Sequence, residues 1–185
     1  MRLAAVLALL LVALTMAPVE AAPRRYKKLE RYALELINCT RTGGWVRSDG
    51  SCKGYGSGKH SKYQNPLKFH RGVADGVAWP WAIRIAEAGY CGHTLAGSSV
   101  DRRFWKAGFK NPSNGENVGC SYAWRARTMV LRTHRMMQSE KSYRGAHWRQ
   151  MKDRDYKSAG IGVVKVGSNT RIVVDFYGRL PKAGS

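Results

Sequence analysis

Four side chains, far apart along the chain, have the types from which a metal site or an acid–base cleft is built: His93, Glu116, Glu140 and His147. Imidazole and carboxylate both suit zinc or another divalent cation, and two histidines with one glutamate and a water leave an open coordination position. On this reading His93 and His147 are the metal ligands, with Glu116 as the third. Glu116 is also the candidate catalytic residue, a general base toward a metal-bound water. The competing reading makes the four a hydrogen-bonded polar cluster that orders the fold without a metal. A serine hydrolase fits poorly, because Ser139 and Ser142 lie near His147 without a Gly-x-Ser-x-Gly elbow.

The four residues fall where elements begin or end, positions at which distant parts of a chain converge. Leu29, Ala33, Leu36 and Ile37 share one helical face and predict a helix over residues 26–40. A Gly- and Ser-rich loop follows over residues 48–61. Pro80 opens the next helix, which Gly89 caps, and the box from Ser98 to Asp101 opens a short one that stops at Gly108. A Met-rich helix is expected from about Trp124 to Met137. His93 then follows a helix, Glu116 sits in a turn, Glu140 ends the Met-rich helix and His147 opens the next segment. His60 and His70 read as surface residues, His134 as structural or exposed, and Trp79 and Trp81 as packing residues. The period changes to two over residues 160–166 and 170–178, around a Gly167-Ser168-Asn169 turn. Helices covering a small antiparallel sheet make an α+β domain.

Residues 1–21 read as a signal peptide. Arg2 is its positive start, Leu3 to Met16 its apolar run and Val19-Glu20-Ala21 its cleavage site. The run is shorter than the ~20 residues of a membrane span. Residues 22–185 are then expected to form a single domain, a monomer without a transmembrane span, secreted or associated with the cell envelope. Four cysteines in an exported chain imply two disulfides, with three pairings open. Cys39–Cys52 would close the Gly-rich loop, and Cys91–Cys120 would tie His93 to the Glu116 segment, so these are favoured. A zinc site on Cys91-Gly92-His93 lacks the paired Cys-x-x-Cys spacing. The net charge of +20 favours anionic lipid or a cell-envelope polymer as partner. Export and the lack of a nucleic-acid motif argue against nucleic acid, although Trp105, Trp124 and Trp148 lie near arginines.

Several short pieces, in this order, resemble the CAP superfamily, whose domain is also called SCP, in its secreted bacterial form. They are residues 34–38 (LELIN) with Arg41, Gly92-His93, residues 115–119 (GENVG), residues 138–143 (QSEKSY), residues 145–148 (GAHW), residues 160–163 (GIGV) and residues 175–178 (DFYG). The resemblance spans roughly residues 29–178. It implies an α-β-α sandwich with a central cleft lined by His93, Glu116, Glu140 and His147, which in some members binds a divalent cation, often zinc. The function it implies is a ligand-binding module for a lipid-like or anionic envelope component. The alternative is a metal-assisted hydrolase acting on peptide or envelope polymer. The fold alone does not select between them.

Overall fold

The computed structural model describes residues 22–122 and 124–182, so the expected signal peptide lies outside the described residues. In chain order the elements are β1 (Arg24–Arg25), α1 (Lys27–Arg41), β2 (Trp45–Val46), β3 (Cys52–Lys53), β4 (Lys68–Phe69) and α2 (Arg71–Val73). A turn of π pitch (Ala74–Ala78) runs on into α3 (Trp79–Glu87), which precedes α4 (Val100–Lys106), β5 (Asn114–Ser121) and α5 (Ala126–Ser139). A 3-10 turn (Glu140–Tyr143), α6 (Ala146–Lys152), β6 (Ser158–Val166) and β7 (Asn169–Tyr177) complete the chain.

The last two strands form the expected hairpin. Val166 pairs with Asn169 across Gly167 and Ser168, and Gly167 takes the positive φ that the tight turn requires. The main sheet has the order β1-β6-β7-β5, all antiparallel, with β4 added in parallel to β6. β5 is therefore an edge strand.

Alternation on the hairpin separates two helical layers, the predicted α-β-α sandwich. Ala159, Ile161 and Val163 of β6, with Ile172, Val174 and Phe176 of β7, pack with α1, α5 and α6. Val164, Val166 and Val173 face the other way and pack with Ala78, Trp81, Ala82 and Ile85. Gly160 and Gly162 sit on that second face. A Cβ at Gly160 would come within 2.3 Å of the Ala74 nitrogen, and one at Gly162 within 2.7 Å of the Trp79 backbone. The Gly-x-Gly pair thus lets a helix backbone lie directly on the sheet.

Two polar devices bind the α1 layer. Arg41, 1% exposed, donates to the carbonyls of Asn65, Met151, Asp153 and Tyr156. The Thr40 hydroxyl donates to Gln138 Oε1 (2.8 Å), so it accepts from Nε2–H of His134 (2.9 Å). Burial pushes the His134 imidazole down to about 3, which keeps it neutral. His134 is thus structural, as expected. Cys39–Cys52 and Cys91–Cys120 are the disulfides formed.

Three expectations need correction. His70 is buried: its ring accepts from the Val73 N–H and packs edge-on against Phe109 and Tyr177, so burial lowers its pKa. His60 is half-buried beside Trp45 rather than a plain surface residue. Glu116 lies in β5, not in a turn. Asn, Gly and Ser give residues 114–121 low strand propensity, but pairing with β7 along the whole segment overrides it. Among the described residues, no helix is long and apolar enough to cross a membrane.

Candidate functional site

The four residues form two couples. His93 follows α3 in a bend held by the Cys91–Cys120 disulfide to β5, and its Nδ1 lies 2.8 Å from Glu116 Oε1. His147 opens α6, and its Nδ1 lies 2.6 Å from Glu140 Oε1. In each couple an Nδ1–H donated to carboxylate fixes the ring and leaves Nε2 on the far side with its lone pair. The histidine side chains keep access to solvent, 47% exposed at His93 and 29% at His147, whereas their glutamates are buried.

Glu140 has a second duty. Its Oε2 accepts the backbone N–H of His147 (3.0 Å) and of Trp148 (3.3 Å), so it caps α6 from outside the helix. The residue at the cap position, Gly145, has no side chain to do this, and a Cβ there would lie 2.5 Å from Glu140 Oε2. Burial opposes ionisation of Glu140, but the bonds from His147 and Trp148 outweigh it and lower its pKa.

Glu116 answers two partners. Oε1 meets His93, and Oε2 accepts from Arg103 Nη2 at 2.5 Å. Arg103 also donates from Nη1 to the His93 carbonyl, and its guanidinium lies 3.9 Å from the Trp81 ring centroid. Arg103 therefore sets both ends of His93, a role the sequence did not signal within the Arg102-Arg103 pair. Beneath Glu116, in register on β7, lies Asp175, fully buried, with Glu116 as its side-chain hydrogen-bonding neighbour. Burial first, and then the charge of Glu116, raise its pKa well above the usual carboxylate range, against the pull of Arg103. An acid inside the apolar run Ile172 to Tyr177 was a visible signal of a special position.

No hydrogen bond joins the two couples directly. They meet through β5: Glu116 holds the His93 ring, and its neighbour Asn117 donates to the His147 carbonyl at 3.2 Å. Successive strand residues point to opposite faces, so the couples approach the edge strand from its two sides. The Nε2 atoms of His93 and His147 are the donors that a divalent cation would use. Among the described residues no group of three or more His, Cys, Asp or Glu is arranged to hold a metal.

No protein-family model matches the sequence, and no curated protein matches it. Solved structures do resemble the fold. An extracellular protein containing an SCP domain from Bacillus anthracis matches with TM-score 0.50 and 13% identity, covering 63% of this chain. The match spans only 35% of that protein's length. An outer surface protein from Borrelia burgdorferi matches with TM-score 0.50 and 20% identity, over 63% of this chain and 80% of its own. NaASP2, solved with Zn2+, matches with TM-score 0.54 and 14% identity, over 83% of this chain and 81% of its own.

Proposed function

We propose that this chain, which has the fold of SCP domains, is an exported binding module of the CAP superfamily. Its His/Glu cleft would hold a divalent cation, and its basic surface would keep it on a lipid-like or anionic envelope component. The observation that carries this reading is the pair of histidines with Nδ1 tied to a buried carboxylate and Nε2 left over. Zinc or a similar cation held by His93 and His147 would offer a Lewis-acidic point for an anionic group. The zinc in NaASP2, the extracellular setting of the Bacillus protein and the surface location of the Borrelia protein all agree with it. So do two disulfides, which persist in oxidising compartments.

Binding is favoured over the hydrolase reading because neither glutamate stands free to take a proton. Glu116 is engaged by His93 and Arg103, and Glu140 by His147 and the start of α6. The charge half of the proposal is tested with residues 22–185 and sedimentable vesicles. Co-sedimentation is expected with vesicles containing phosphatidylglycerol and not with pure phosphatidylcholine. It should disappear near 1 M salt, where screening acts within about 3 Å, and persist in His147→Ala. Equal binding to neutral vesicles, or binding indifferent to salt, would contradict it.

A further inference from the structure

A cavity of about 280 Å³ opens between α3 and α4, lined by residues that belong to neither His–Glu couple. Val77, Pro80 and Trp81 contribute apolar lining, and Arg84, Arg103 and Lys106 are its charged residues. No acidic side chain lines it. The volume is at the lower end of the ~300–1,000 Å³ of small-molecule sites.

The three cations are not equivalent. The charge of Arg103 is neutralised by Glu116, and its guanidinium stacks on Trp81, so it helps to close the cavity rather than to attract a ligand. Arg84 and Lys106 are exposed and form no ion pair among the described residues. They leave a net positive rim over an apolar lining in which Pro80 and Ala107 are accessible, while Trp81 lies buried beneath Arg103. Apolar lining beside cations that have no acidic partner selects a ligand with an anionic group on a small apolar body. A bare anion would miss the apolar contacts, and a neutral apolar molecule would leave the cations unanswered.

We infer that the cavity between α3 and α4 is a second binding site, for a small anionic amphiphile, recognised by Arg84 and Lys106 at the rim and by Pro80 and Ala107 inside, with Trp81 directly beneath. It uses none of His93, Glu116, Glu140 or His147, so failure of the metal reading would leave it standing.

The test is a titration of the mature chain with hexyl phosphate, followed by NMR at the Trp81 indole N–H, a resonance assigned by its loss in Trp81→Phe. Inorganic phosphate and hexanol serve as comparisons. A saturable Trp81 shift is expected with hexyl phosphate, at a Kd at least about tenfold below that of either comparison. Arg84→Glu with Lys106→Glu should weaken hexyl phosphate by about tenfold or more. Arg125→Glu with Arg135→Glu, the same charge change placed on exposed positions around α5, should leave it within about twofold. Equal affinity for inorganic phosphate or hexanol would overturn the inference. So would no Trp81 shift, or equal losses in the two double variants.

Discussion

Replacing Arg41 by leucine is expected to destabilise the protein by about 4 kcal/mol or more and to lower its melting temperature by roughly 8–16 °C. Four carbonyls lose their donor at once, and the bonds to Met151 and Tyr156 are fully buried. Each buried carbonyl left unpaired costs about 1–3 kcal/mol. The apolar burial of leucine returns only about 2 kcal/mol. Burial already disfavours the guanidinium, bringing its pKa to about 10 with Asp153 opposing the shift, so part of the charge cost vanishes too. That term is smaller than the loss of four bonds. Arg41→Lys should fall between the two, because an ammonium has three donors and no planar fork. The consequence reaches the cleft: Met151 and Asp153 lie at the end of α6, the helix that His147 begins. Urea unfolding reads the result, and a loss under 1 kcal/mol for Arg41→Leu would mean that the carbonyl hub does not organise this layer.

The second large effect is a reversal of sign between two neighbouring acids. Asp175→Asn is expected to stabilise the protein at pH 7.5 by about 1–3 kcal/mol, because the amide stays neutral in both states whereas the unfolded chain is favoured by ionising the aspartate. The folded-state pKa of Asp175 is raised, so the folded protein retains a proton that the unfolded chain releases above its ordinary 3.8. Stability therefore falls as pH rises above that value, by up to about 1.4 kcal/mol per pH unit until the folded group titrates. The gain in Asp175→Asn should fade below about pH 4. Glu116→Gln alone should cost less than the double variant, since Asp175 still lies beside Arg103. The double variant leaves Arg103, 10% exposed, with neither acid, and should lose about 3–5 kcal/mol. Unfolding of the three variants at pH 4 and 7.5 completes the cycle. Additive losses would show that Asp175 and Glu116 do not share Arg103.

Much of the fold was legible because period alone reports it. The β6–β7 hairpin and the apolar stripes of α1 and α5 follow from sequence spacing, and the Gly160/Gly162 pair marks where a helix meets the sheet. β5 was not legible, because its strand character comes from its partner and not from Asn, Gly and Ser. α6 has no local capping residue; its cap is Glu140, from the preceding turn, a contact that spacing rules for Ser, Thr or Asp do not anticipate. His93, Glu116, Glu140 and His147 were singled out by the short pieces that resemble the CAP motifs, at residues 92–93, 115–119, 138–143 and 145–148. Their pairing was not readable, nor was the placement of Arg103 and Asp175 behind Glu116, because these depend on strand register and on which face of α4 meets the sheet.

The most direct test of the central reading is calorimetric titration of zinc into the metal-stripped mature protein, alongside His93→Ala and His147→Ala. One saturable site is predicted, lost in both variants while their near-UV circular dichroism stays that of the parent chain. No binding by the folded parent, or binding that survives both substitutions, would contradict a cation held between the two couples.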